Sequence, residues 1–374
     1  MNVPKLRFKE FNDEWSYQSL SKYVNRITSK NKNNESNLVL TISAQYGLVD
    51  QTNFFNRSVS SSNLTGYYLL NNGDFAYNKS YSNGYPWGAV KRLNKYNQGV
   101  VSSLYICFKP NDLINSDFLE QYFETNKWYQ QISEVSVEGA RNHGLLNIAV
   151  NDFFNTKHYI PSIKEQEKIS NFLSLLDKKI ELQSKKIEDL KLFKKGLSNN
   201  IFNNMKDFEE YKLGDLCNIT TGKLDANAMV ENGKYRFYTC AKEYSFIDEY
   251  SFDTEALLIS GNGAYVGYIH YYNGKFNAYQ RTYVLDQFSQ NIQFIKCYLD
   301  ENLSRRIKSE KKEGNTPYIV LSTLSDMIIK VPNKENQKNI SNIINYHQRK
   351  ILLEENKLQK LQELKKGLMQ KMFV

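Results

Sequence analysis

The chain has 374 residues, of which 41% are hydrophobic and 24% charged. That is room for two or three domains and leaves no case for wholesale disorder. No apolar run reaches the ~18 residues a bilayer span needs, and the opening MNVPKLRFKEFNDEW lacks the apolar core of a signal peptide. Four cysteines, Cys107, Cys217, Cys240 and Cys297, without CxxC spacing read as reduced, mostly buried thiols of a cytoplasmic protein.

Residues 1–160 are expected to form a first β-rich domain. The runs NLVLTIS (37–43), GYYLL (66–70), DFAYN (74–78) and VVSSLYICF (100–108) are rich in β-branched and aromatic residues, with Gly and Asn turns between them. A helix over 117–132 (DFLEQYFETNKWYQQI), a loop SVEGARNHG and an apolar strand follow. Residues 161–206 then predict one long helix, with Pro161 at its start, where proline is tolerated. A second β-rich domain, 207–331, repeats the order: strands in EALLIS (255–260), YVGYIHYY (265–272) and TYVLDQF (282–288), a helix over 292–309, the loop EKKEGNTP and another strand. Residues 332–374 predict a second long helix.

The two helical blocks are copies. Residues 161–202 align without a gap on residues 332–373, with 15 of 42 positions identical, among them Pro161/Pro332, Gln166/Gln337 and the run Lys194-Lys195-Gly196-Leu197 on Lys365-Lys366-Gly367-Leu368. Apolar residues step by four and three along each copy. The first seam is Ile169, Leu173, Leu176, Ile180, Ile187, Leu190, Leu197 and Ile201, interrupted by Gln183 and Lys194. The second is Ile340, Ile344, Ile351, Leu358, Leu361, Leu368 and Met372, interrupted by His347, Glu354 and Lys365. Such narrow stripes need a partner, and each copy is the natural one for the other; two unrelated surface helices docking on their own domains is the alternative. Two copies pack most readily about a two-fold axis, which makes the pair antiparallel. Each helix is then roughly 60 Å long, the domains sit at opposite ends, and the centre falls near Leu182 and Leu353, with Gln183 and Glu354 setting register. The fold class is therefore α+β: two mixed, β-rich domains separated by two long helices in an antiparallel coiled coil, with pseudo-two-fold symmetry.

Charge sharpens this division. Residues 1–160 carry 16 basic against 13 acidic residues and residues 207–330 carry 14 against 17, so the two domains cancel. The net charge of +9 is accounted for by the helices, with 10 against 6 in 161–206 and 9 against 4 in 331–374. Phosphate contacts in the second domain must come from local clusters such as Arg305-Arg306 and 308–312, or from partners.

Enzyme signatures are missing: no GxxxxGK[ST], HExxH or GxSxG occurs. His143, His158, His270 and His347 lack metal-ligand spacing, and no metal or cofactor site is expected. The glycines of GNGAYVG (261–267) have the wrong spacing for a dinucleotide loop and read as a turn or a close backbone approach. Asn315-Thr316-Pro317-Tyr318 only superficially resembles an amino-methyltransferase motif. What is present is residue chemistry suited to DNA. In the first domain Asn78, Lys79, Ser80, Tyr81 and Asn83 lead to Lys91-Arg92, and Arg141-Asn142-His143 form a second cluster. In the second domain Asn262, Tyr265, Gln280, Arg281, Lys311, Lys312 and Asn315 are comparable. Arg, Asn and Gln pair with base edges; Lys, Ser and Tyr suit phosphates. Each is equally readable as an ordinary polar loop residue.

The pattern resembles the specificity (S) subunits of type I restriction–modification systems. The likeness rests on Pro4-Lys5-Leu6-Arg7-Phe8 with Phe11 and Trp15, on the P-x-x-x-x-Q-x-x-I openings at Pro161/Gln166/Ile169 and Pro332/Gln337/Ile340, and on the endings KKGLSNNIF and KKGLMQKMF. Glu165 keeps the family's usual Glu before Gln, whereas the second copy has Asn336. The resemblance implies a non-catalytic subunit in bacterial defence whose two target-recognition domains each read half of a split, asymmetric double-stranded DNA site. The paired helices would set the spacer and dock modification (M) subunits, two of them, that bind S-adenosylmethionine and methylate adenine. Restriction (R) subunits would add ATP- and Mg-dependent steps; no membrane partner is implied. A self-sufficient methyltransferase or nuclease and a protein-only coiled-coil scaffold are the alternatives from other classes.

Overall fold

The computed structural model describes residues 3–55, 63–82, 84–136, 146–310 and 318–374. They divide into two compact units: Met1–Gln183 with Lys357–Val374, and Ser184–Asn356. The long helices Ile163–Asn203 and Lys334–Met372 each give one part to each unit.

In the first unit Val24–Arg26, Ile106–Pro110, Phe75–Asn78 and Ala89–Arg92 form a four-stranded antiparallel sheet in that order. Strand alternation sorts its residues. Phe75 and Tyr77 enter one core with Phe108, Trp128 and Phe153, while Ala76 and Cys107 face a second with Leu40, Leu48 and Leu70. The predicted run 100–108 is two strands, Gln98–Val101 and Ile106–Pro110, because a turn closes between them, with Tyr105 N–H donating to Ser102 O at 3.1 Å. The predicted helix over 117–132 is likewise two, Ser116–Phe123 and Tyr129–Val135. Thr125 Oγ1 donates to Tyr122 O at 2.6 Å and Trp128 Nε1 to Phe123 O at 3.1 Å, taking the last-turn carbonyls and ending the first helix.

In the second unit six strands run in the order Asn218–Thr221, Thr282–Asp286, Phe252–Ser260, Ile269–Ala278, Tyr235–Tyr238 and Ser245–Ile247; only Tyr235–Tyr238 beside Ile269–Ala278 is parallel. Leu257, Ile259 and Leu285 pack against Phe294, Leu299 and Leu303 of the helix Ile292–Glu310. Ala256, Leu258, Val284 and Phe276 form a smaller core with Tyr238. The strand expected from residue 265 begins at Ile269, because Gly263 and Gly267, at φ +79 and +82, make a turn first.

The units share one plan at the joints with the helices. Ser16–Ser19 pairs antiparallel with Lys157–Ile160 in one, and Phe208–Lys212 with Ile328–Pro332 in the other. Gln166 Oε1 accepts from the backbone N–H of Asn115 at 2.7 Å while its Nε2 donates to Pro161 O at 2.9 Å. Gln337 does the same with Asn291 N–H at 3.0 Å and Pro332 O at 2.8 Å. Asn115 and Asn291 in turn cap the next helix, their Oδ1 accepting from Phe118 and Phe294 N–H at 2.9 and 3.0 Å. At the far ends of the repeats, Phe373 packs on Phe118 and Tyr122 with ring centroids 5.3 and 5.9 Å apart. Phe202 packs on Phe294 and Tyr298 at 6.1 and 5.3 Å. The beginning of one helix and the end of the other therefore meet in each unit, so the helices run antiparallel within both.

Along the seam Ile169, Leu173, Ile187, Ile344 and Ile351 are buried, and Leu176, Ile180, Leu190, Leu197, Ile340, Leu358, Leu361 and Leu368 half-buried. Polar seam positions pair across it. Lys365 Nζ lies 2.5 Å from Asp177 Oδ1 in the first unit, and Lys194, its counterpart, 2.8 Å from Gln348 Oε1 in the second. Buried Glu354 takes Lys186 at 3.1 Å. Leu182 and Leu353 lie off the seam, both 60% exposed.

Candidate nucleic-acid interface

In the first unit the cluster begins where the strand Phe75–Asn78 ends. Asn78 Oδ1 accepts from Ser80 N–H at 3.2 Å, and a Cβ on Gly88 (φ +76) would lie 2.2 Å from Asn78 O, so the return chain must carry glycine there. Lys79 O accepts from Leu146 N–H at 2.8 Å and Lys79 Nζ donates to Ile148 O at 3.1 Å. Leu146 and Ile148 are thereby fastened beside Lys79; Arg141, Asn142, His143 and Asn83 lie outside the described residues. Tyr81 stands 61% exposed.

Arg92 does not belong with them. Its guanidinium pairs with Asp117 at 2.7 Å and Glu120 at 2.5 Å, and Nε donates to Asn94 Oδ1 at 2.7 Å. Neighbouring Lys91 is buried, 2.5 Å from Glu124. Burial pushes the Glu120 carboxyl up, and Arg92 offsets part of that by favouring its charged form. The Lys91-Arg92 cluster thus ties the sheet to the helix Ser116–Phe123, and its charge is compensated within the fold.

In the second unit the sheet brings four predicted residues to one end. Asn262 and Tyr265 lie on the hairpin tip between Phe252–Ser260 and Ile269–Ala278, and Gln280 and Arg281 precede Thr282–Asp286, whose first residue pairs with Ser260. Gly261 N–H donates to Arg281 O at 2.9 Å, and a Cβ on Gly261 would lie 2.4 Å from that oxygen. The GNGAYVG stretch is therefore both a turn and a close backbone approach. Gln280 Nε2 donates to Asp225 Oδ1 at 2.9 Å. Arg281 is exposed, with no ion-pair partner among the described residues. The sequence reading missed Lys242, whose Nζ sits 5.4 Å from the Tyr265 ring, and Tyr318, which bridges to Asn262 and is 60% exposed. Lys242 is distant in sequence from every cluster, so only the sheet reveals it. Lys311, Lys312 and Asn315 lie outside the described residues.

The four cysteines are free thiols, with Cys107, Cys217 and Cys297 buried and Cys240 half-buried. Among the described residues no helix is long and apolar enough to cross a membrane, and no three His, Cys, Asp or Glu side chains gather as a metal site.

Residues 205–363 match the family model described as type I restriction modification DNA specificity domain. Over 131 residues the chain is 39% identical to the type I restriction enzyme EcoDI specificity subunit of Escherichia coli, covering 35% of this chain and 29% of that one. The chain is thus similar to type I restriction–modification specificity subunits and matches their DNA specificity domain over residues 205–363. A putative type I specificity subunit of Mycoplasma pneumoniae is 27% identical over 197 residues, which is 49% of this chain and 79% of that one. The whole fold matches that of the S subunit from M. genitalium, with TM-score 0.62, 19% identity and coverage of 100% and 99% of the two chains. The specificity-domain match falls on the second unit's domain and runs on into the C-terminal helix.

Proposed function

We propose that this chain is a specificity subunit that reads a bipartite, asymmetric double-stranded DNA site, one half per domain, and carries no active site of its own. The domains at residues 1–160 and 207–331 are the readers. The helices at 161–206 and 332–374 hold the half-sites at a fixed spacing and dock two modification subunits; restriction subunits complete the cytoplasmic complex. S-adenosylmethionine, ATP and Mg belong to those partners.

The observation that carries this reading is the contrast between joint and surface. The Gln166 and Gln337 contacts and the Phe373 and Phe202 contacts recur residue for residue, while the main sheets they carry differ, four strands in the first unit and six in the second. Two unlike readers on one repeated mount need two unlike half-sites, where a homodimer needs a palindrome. The lysine runs support docking unequally. Lys194 and Lys365 are engaged within the helix pair, which leaves Lys195 and Lys366 as the exposed cations at those positions.

Exchanging residues 207–331 for those of another specificity subunit, with the residues that contact Gln337 and Phe202 retained, tests this. The methylated motif should change in one half only and keep its other half and spacer. A change in both halves, or none, contradicts the assignment of one half-site to each domain.

A further inference from the structure

We propose that Arg236 contacts DNA from the second recognition domain, its guanidinium held ready between Tyr244 and Tyr272 for the O6 and N7 edge of a guanine. The assignment rests on the DNA-reading function above. Arg236 lies in the strand Tyr235–Tyr238, opposite Phe246 on one neighbouring strand and Phe276 on the other. Its guanidinium carbon sits 4.3 Å from the Tyr244 ring centroid and 4.4 Å from that of Tyr272, and Nη1 donates to Tyr238 Oη at 3.4 Å. Two rings fix the plane of the group and leave its N–H edge as the polar margin.

Charge separates this residue from a structural arginine. Arg7, Arg92, Arg305 and Arg306 each hold a carboxylate of this chain, whereas Arg236 has none within ion-pair distance among the described residues. Its surroundings are phenols, which orient a guanidinium without neutralising it. A planar donor fork of fixed direction, uncompensated in the free protein, matches the bidentate acceptor pair of guanine better than a mobile phosphate contact.

Position agrees. Arg236 shares a sheet face with Tyr238, in the core opposite the helix Ile292–Glu310. From Tyr238 contacts run back to the candidate patch. Its ring lies 5.0 Å from that of His270, His270 Nε2 is 3.0 Å from Ala241 O, and the next residue, Lys242, sits over Tyr265.

The test uses the complex with its modification subunits, first with unaltered protein. Each guanine of the half-site read by this domain is replaced in turn by 7-deazaguanine, which lacks the N7 acceptor. One position should weaken binding, and at that position the Arg236→Lys complex should be indifferent to the replacement. Arg236→Lys should also lose about 5- to 150-fold in affinity for the unmodified motif, with the salt dependence and thermal midpoint unchanged. A uniform loss on all sequences, with no base position singled out, would make Arg236 a phosphate contact and overturn the assignment. So would a half-site without guanine, a deaza scan with no sensitive position, or a lower thermal midpoint with motif affinity intact. A parent complex that recognises no bipartite motif defeats the function reading, and this assignment with it; a normal motif with an indifferent Arg236→Lys defeats this assignment alone.

Discussion

Phe373→Ala should destabilise the first unit by about 3–5 kcal/mol, and Phe202→Ala should do the same to the second. Both rings are buried, Phe373 at 1% and Phe202 at 6% exposure. Each fills a space between two aromatic residues one turn apart on the capped helix, Phe118 with Tyr122 and Phe294 with Tyr298. Removing the ring loses its transfer free energy and leaves a cavity that a clamped helix cannot readily close. The effect should be local. Hydrogen exchange ought to accelerate in the helix Ser116–Phe123 for Phe373→Ala and in the helix Ile292–Glu310 for Phe202→Ala. Equal loss of protection in both helices from either change would argue against two independent joints.

Acid should weaken the first unit through His158. The ring is 3% exposed, and burial lowers its pKa from 6.5 to about 4. Thr156 Oγ1 donates to Phe153 O at 2.6 Å, so it must accept from His158 Nε2–H at 2.8 Å. Nδ1 therefore accepts from Tyr122 Oη, also at 2.8 Å. A second proton on the ring would face a hydroxyl already aimed at it. The folded pKa is depressed, so this contribution is complete above the unfolded pKa near 6.5 and is lost as pH falls through about 4. The loss amounts to about 3 kcal/mol. Glu120, whose pKa is raised by burial, acts in the opposite sense, so the comparison must be between variants. Denaturant midpoints of the parent should fall between pH 6.5 and 4 more steeply than those of His158→Gln. Parallel curves would remove His158 from the account.

The sequence carried the helices plainly, because a heptad seam repeated at constant offset constrains many positions at once. Every seam residue named from it is buried or half-buried. The midpoint was less legible: Leu182 and Leu353 mark the centre of the repeat, but they fall between seam positions and face outward. Short strands escaped notice for a physical reason. Asn218–Thr221 is polar and pairs on one side only, so neither burial nor alternation marks it. The asparagine caps were written as N-x-x-F before each helix, at Asn115 and Asn291, but the glutamine that anchors each lies in another block, and only folding joins them. Charge misled at Arg92, where sequence proximity to Asn78 and Lys79 concealed the carboxylates of a later helix. The same blindness hid Arg236, since the tyrosines that hold it come from separate segments.

Two unlike domains on a repeated mount should read two unlike half-sites. The decisive measurement is a map of methylated adenines across a genome that carries this chain with its modification subunit. Methylation should fall within a two-part, asymmetric motif of constant spacer and be lost when this chain is deleted. A continuous palindrome, or methylation indifferent to the deletion, would contradict the assignment of one half-site to each domain.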